Sequence, residues 1–112
     1  MLRNRRKGSC ISMLKHVVMW KFADTAMGRT KEENMEIVRD SLQKLPPVIA
    51  EIKSLEIGKD VLRSEMSYDM VLLMGFESLE DLERYQNHPE HKKVSEYVKK
   101  VRCGRATVDF VN

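Results

Sequence analysis

The sequence predicts a single α+β domain of the ferredoxin-like, split β-α-β type, with element order β-α-β-β-α-α-β and a four-stranded antiparallel sheet. Three observations predict it. Four short strand-like runs, the first and third rich in Val, Met and aromatics, are interspersed with three helical patterns. The chain, at 112 residues, is long enough for only one core. Its composition, 42% hydrophobic and 33% charged, is that of a globular domain rather than a disordered or fibrous one.

The first strand is Leu14 to Phe22 (LKHVVMWKF), which has neither Gly nor Pro. Asp24 to Arg29 is a loop containing Gly28. Thr30-Lys31-Glu32-Glu33 then forms a capping box, in which hydroxyl and carboxylate each satisfy a free backbone N–H. Met35, Val38, Leu42 and Leu45 make one apolar stripe of the first helix. Pro46-Pro47 ends it. Glu51 to Gly58 is a weaker strand, Asp60 to Ser67 a polar connection, and Tyr68 to Phe76 the strongest strand. Ser78 caps a second, short helix with Leu79, Leu82 and Tyr85 on one side, and that pattern breaks at Asn87-His88-Pro89. Pro89 suits a first helical turn. The third helix runs to about Val101 with Val94, Tyr97, Val98 and Val101 inward, Gly104 is its expected stop, and Ala106 to Val111 is the last strand.

Side chains alternate across a strand. Leu14, His16, Val18, Trp20 and Phe22 therefore share one face, while Val17 and Met19 share the other. In the strongest strand, Tyr68, Met70, Leu72, Met74 and Phe76 oppose Val71 and Leu73. Both faces of the central strands are apolar, yet the helices of one small domain cover one face. The other would leave a contiguous apolar patch in water, which monomers rarely tolerate. A second copy packed sheet to sheet is the simplest cover, so a C2 homodimer is expected. The competing expectation is that the Asp60 to Ser67 connection folds over that face.

The formal net charge is +3, unevenly placed. Arg3, Arg5, Arg6 and Lys7 give residues 1–12 a charge of +4, leaving sixteen basic against seventeen acidic residues from Met13 onward, a balance of −1. Residues 1–12 read as a basic, disordered extension, with Met13 a candidate start, and 13–112 as the domain. Lys15 and His16 interrupt the apolar run after the basic residues, which argues against a secretory signal. The longest uncharged apolar run, Met70 to Phe76, is too short to cross a bilayer. Cys10 and Cys103 provide no disulfide framework and no metal-binding pair. The expected location is cytoplasmic. Lys92/Lys93 and Lys99/Lys100 read as the solvated face of the third helix; without interleaved aromatics they do not suggest nucleic acid.

Three residues stand out as candidate chemistry. His16 is the only polar group in an apolar, helix-facing row. It is either a core histidine bonded to a neighbour or a polar group lining a cavity. His91, third in its helix after Pro89, sits among unpaired N–H groups at the positive end of the dipole, which disfavours the imidazolium. A neutral imidazole is what a general base requires; an exposed first-turn histidine without a role fits the same spacing. Tyr85 combines an apolar body with a hydroxyl donor and fits core packing equally well. His88, Glu90 and His91 do not have the spacing of a zinc motif, and no metal site is expected.

Leu14-Lys15-His16-Val17-Val18-Met19-Trp20-Lys21-Phe22, Gly75-Phe76-Glu77-Ser78, Tyr85-Gln86-Asn87-His88-Pro89-Glu90-His91 and Val108-Asp109-Phe110 together resemble the stress-responsive dimeric A/B barrel (Dabb) family. The resemblance runs from about Met13 to Val111. It implies a ferredoxin-like protomer and a homodimer whose two sheets form a barrel. Most members have no assigned reaction, so the first expectation is a homodimer with a small-molecule pocket between sheet and helices. One characterised relative type is a cofactor-free plant polyketide cyclase. Alignment with it places the catalytic pair on His91 and Tyr85 and a pocket histidine on His16; a further pocket histidine falls on Met70 here. The resemblance thus implies, as the alternative, a cofactor-independent lyase or cyclase acting on a small hydrophobic carbonyl compound. There His91 would be general base and Tyr85 hydrogen-bond donor, with His16, Trp20 and Met70 at the ligand. A third reading, a cofactor-free monooxygenase, rests on Trp20 in the cavity-facing row.

Overall fold

The structure, a computed structural model, describes residues 13–112; the expected basic extension lies outside the described residues. The order is β1 (Leu14–Phe22), a small hairpin of β2 (Thr25–Ala26) and β3 (Arg29–Thr30), α1 (Lys31–Gln43), β4 (Ser54–Lys59), β5 (Met70–Phe76), α2 (Leu79–Asn87), α3 (Pro89–Val101) and β6 (Arg102–Val111). The main sheet is antiparallel in the order β4-β5-β1-β6. This is the expected ferredoxin-like α+β fold.

The hairpin is the one addition. Ala26 pairs with Arg29 across a two-residue turn, with Met27 at φ 53° and Gly28 at φ 72°. Two positive φ values match the twist of flanking strands, and Gly28 takes its value without penalty. The capping box forms as expected, with the Thr30 N–H donating to Glu33 and the Glu33 N–H to the Thr30 hydroxyl. Ser78 caps α2 by accepting from the Asp81 N–H.

Leu14, Val18, Trp20 and Phe22 of β1 and Met70, Leu72, Met74 and Phe76 of β5 are buried against Met35, Val38 and Leu42 of α1, with Leu82, Tyr85, Val98 and Val101 of α2 and α3. Leu45, Ile49 and Ile52 continue the core beyond α1, through turns that delay β4 to Ser54. Asn34 is, with His16, one of two buried polar side chains among the described residues: its Nδ2 donates to the Ala26 carbonyl and its Oδ1 accepts from the Tyr97 hydroxyl at 2.5 Å. It ties the hairpin to α1 and α3.

Several boundaries differ from expectation. Tyr68 does not share the Met70 face, because β5 begins only at Met70; the Lys21 ammonium stands 5.1 Å from the Tyr68 ring. Asp69, just before the strand, instead accepts from the Phe22 N–H and pairs with Lys31. Leu79 is exposed, since a residue in the first turn projects past the edge of the core. Val94 and Tyr97 are only half-buried. Gly104 does not stop α3. Arg102 turns extended (φ −85°, ψ 153°) and feeds β6 directly, so the strand starts four residues early. Gly104 lies in it opposite Lys21, where an added Cβ would stand 3.3 Å from the Lys21 Cβ.

The second sheet face is bare among the described residues. Met19, Val71, Val108 and Phe110 are exposed. The Asp60 to Ser67 connection does not fold its apolar residues onto that face: Val61, Leu62 and Met66 are themselves 77–91% exposed. No helix among the described residues is long and apolar enough to cross a membrane.

Candidate functional site

A cavity of about 270 Å³ opens between the sheet and α3. The sheet supplies His16, Val18 and Trp20 from β1 and Leu72 from β5; α2 supplies Tyr85, and α3 contributes His91. Alternation places His16 and Trp20 on the helix-facing side. Spacings of three and four place His91, Val94, Ser95 and Val98 of α3 on the facing stripe.

His91 and Tyr85 are in contact, with ring centroids 4.4 Å apart and planes at 52°. His91 occupies N3 of α3, behind Pro89 at N1. Its Nδ1 lies 3.1 Å from the Gln86 carbonyl. A carbonyl oxygen only accepts, so Nδ1 carries the hydrogen and Nε2 is the nitrogen left with a lone pair. The imidazole pKa is lowered from 6.5, chiefly by burial; the Gln86 carbonyl opposes this, while electrostatic interactions with His16, Arg105 and His88 add to it. Neutrality was expected from the helix dipole; removal from water is the larger cause.

Tyr85 is 1% exposed. Burial pushes its phenol well above the usual tyrosine value, against a smaller opposing pull from Arg105, so the group stays a neutral O–H donor. No hydrogen bond among the described residues engages that hydroxyl. Phe76 packs 5.3 Å from the Tyr85 ring and holds it from the sheet side.

His16 resolves its two sequence readings by meeting both. It is 4% exposed, hydrogen-bonded through Nδ1 to Asp109 Oδ1, and it lines the cavity. The β1–β6 register sets His16 directly opposite Asp109, which is why their side chains meet on one face. Its ring lies 6.3 Å from Tyr85. His16, Tyr85 and His91 are therefore one cluster, drawn from β1, α2 and α3.

Trp20 lines the same cavity two strand steps from His16. Met70 does not. It is fully buried beside Trp20 in the sheet, and the cavity's contact with β5 is at Leu72. His88 serves the fold: its Nδ1 accepts the Glu90 N–H at 3.1 Å and caps α3. Glu90 turns out to Lys93. No group of His, Cys, Asp or Glu suited to a metal ion occurs among the described residues.

Sequence reasoning missed the basic wall of this cavity. Lys99, assigned there to the solvated face of α3, lines it together with Arg102 and Arg105. The signal was present as His91, Ser95 and Lys99 at steps of four. It was also present as Arg105 and Asp109 on the same side of the last strand. Asp109 was likewise missed as the partner of His16.

Residues 14–112 match the model of the stress-responsive A/B barrel domain, Dabb. No curated protein matches the sequence. Among solved structures, a dimeric protein of unknown function with a ferredoxin-like fold from Bacteroides fragilis is 27% identical. Its alignment covers 89% of this chain and 96% of that one, with a TM-score of 0.75. A dimeric ferredoxin-like protein of unknown function from Thermobifida fusca is 24% identical over 90% and 92% of the two chains, TM-score 0.77. The hydroxynitrile lyase of Passiflora edulis superimposes with a TM-score of 0.78 over 92% and 95% of the chains at only 10% identity, a likeness of fold alone. With the family model spanning nearly the whole described chain, the protein belongs to the stress-responsive A/B barrel (Dabb) domain family.

Proposed function

We propose that this protein is a homodimer that binds a small carbonyl compound in the cavity beside His16 and Trp20, and that His91 removes an acidic proton from that compound. The observation that carries the reading is the contact of His91 with Tyr85 at the cavity, together with the fixed Nδ1–H of His91. His91 Nε2 takes the proton from the carbon next to the carbonyl. The electron pair of that C–H bond moves to the carbonyl oxygen, giving an enolate. The Tyr85 hydroxyl, without another partner among the described residues, donates to that oxygen. Asp109 fixes the orientation of His16, which gives the cavity a further polar group. The open face at Met19, Val71, Val108 and Phe110 supports the dimer, as do the solved relatives described as dimeric.

The test is deuterium exchange at the α-carbon of a panel of 1,3-dicarbonyl compounds, followed by NMR. Exchange faster than buffer, lost in His91→Gln, supports the reading. Equal exchange with wild type and His91→Gln across the panel overturns it. Light scattering decides the dimer.

A further inference from the structure

Of the charged side chains that line the cavity, every one whose sign does not depend on a histidine or tyrosine is positive: Lys99, Arg102 and Arg105. No carboxylate among the described residues lines it. Among the described residues neither arginine takes part in an ion pair, and Lys99 has only a loose, exposed contact with Glu96 at 3.7 Å. Asp109, the nearest acid on the same strand face as Arg105, is committed to His16. The apolar walls of Val18, Trp20, Leu42 and Leu72 keep the dielectric low and focus the field of these cations into the space. Three like charges gathered without a counter-charge repel one another; a bound anion relieves that repulsion.

Their placement is directional. Lys99 lies eight residues beyond His91 on α3, about 12 Å along the helix axis. Arg102 is at the junction of α3 with β6, and Arg105 is opposite Trp20 in the sheet register. The proton-accepting group is therefore at one end of the cavity, Lys99 and Arg102 are at the other, and the Arg105 side chain lies between them, within electrostatic reach of Tyr85 and His91. The guanidiniums are planar forks that fit two oxygens of one anion at once.

We infer that the ligand carries an anionic oxygen group, carboxylate or phosphate, which Lys99, Arg102 and Arg105 hold along the basic wall of the cavity, with Lys99 and Arg102 at the end remote from His91. This rests on the reading of the cavity as a carbonyl-binding site, and it names the substrate class as an oxo acid or a phosphorylated carbonyl compound rather than a neutral ketone. Arg105 also acts electrostatically on both Tyr85 and His91, so its charge reaches the reacting end.

The experiment is calorimetric titration of the full chain with a medium-chain oxo acid, its methyl ester, and the phosphate monoester of the matching hydroxy ketone. The acid should bind at least about tenfold tighter than the ester, a preference that shrinks with added salt. The Arg102→Gln/Arg105→Gln double variant should erase that preference while keeping the wild-type melting temperature, since both side chains reach solvent. Phosphate binding tighter than carboxylate identifies the former as the anion; the reverse identifies the latter. An ester as tight as the acid, or an acid preference that survives in the folded double variant, overturns the inference, as does no binding by any probe. His91→Gln should keep the acid preference. If it does while wild type exchanges no α-proton, the proton-transfer reading fails and the anion site stands.

Discussion

The imidazole of His91 and the phenol of Tyr85 touch, ring centroids 4.4 Å apart, although one begins α3 and the other belongs to α2. His88 makes this possible. It caps both helices at their junction, ending α2 through its N–H to the Tyr85 carbonyl and starting α3 through its ring nitrogen. The sharp turn brings positions six apart together, and the Gln86 carbonyl inside that turn fixes the His91 ring. An imidazole and a phenol are thereby held on one short, well-capped corner.

Replacing His91 by Gln should lower turnover on an exchanging substrate by about 10²–10⁴-fold, the range for loss of a positioned general base. Melting temperature should change little, because the ring is only partly buried and bonds one carbonyl. Rates and thermal unfolding of the same preparation check both halves.

Tyr85→Phe separates chemistry from packing. The ring contacts with Phe76 and His91 survive, and the hydroxyl removed has no partner among the described residues. Stability should hold or rise slightly. Turnover should fall by about 10²-fold, as for loss of a donor to a developing oxyanion. Denaturant midpoints and α-proton exchange rates give the two readings.

Asp109→Leu leaves His16, 4% exposed, without its partner. A destabilisation of about 1–3 kcal/mol is expected from an unsatisfied buried polar group. His16→Leu/Asp109→Leu should cost less than the two single changes combined, because both ends of the hydrogen bond go together. Urea unfolding of the four proteins closes the cycle.

The lowered pKa of His91 fixes two pH dependences. Below 6.5, the unfolded chain protonates this histidine before the folded protein does, so stability should fall as pH drops from 6.5 through the lower folded value. Above 6.5 both states are neutral there and the contribution is flat. The rate attributed to His91 should likewise hold to pH below 6.5 and then decline with the fraction of neutral imidazole. No loss from Tyr85 ionisation is expected below pH 10, since burial raises that group. Melting curves and kcat/KM across this range, compared with His91→Gln, test both signs.

Val71→Glu with Val108→Glu places carboxylates on the bare sheet face without touching the core. Light scattering should then report a 13.1 kDa particle, where wild type reports twice that mass. A wild-type monomer at micromolar concentration would rule out the dimer.

Local periodicity determined most of the architecture. The β1 and β5 alternation, the α1 stripe with its capping box and the Pro89 start of α3 are all short-range patterns, and each appears as a structural element. His16, Trp20, Tyr85 and His91 could be chosen because each is a chemical exception within such a pattern. Tertiary structure alone decided which exceptions meet. Asp109 reaches His16 because of the β1–β6 register, ninety-three residues apart in sequence, and Met70 misses the cavity by one step along β5. The basic wall assembles where the end of α3 meets the edge strand, and long arginine side chains converge there from backbone positions that no spacing rule links. Periodicity tells which face a residue occupies; only the register of packed elements tells what stands opposite.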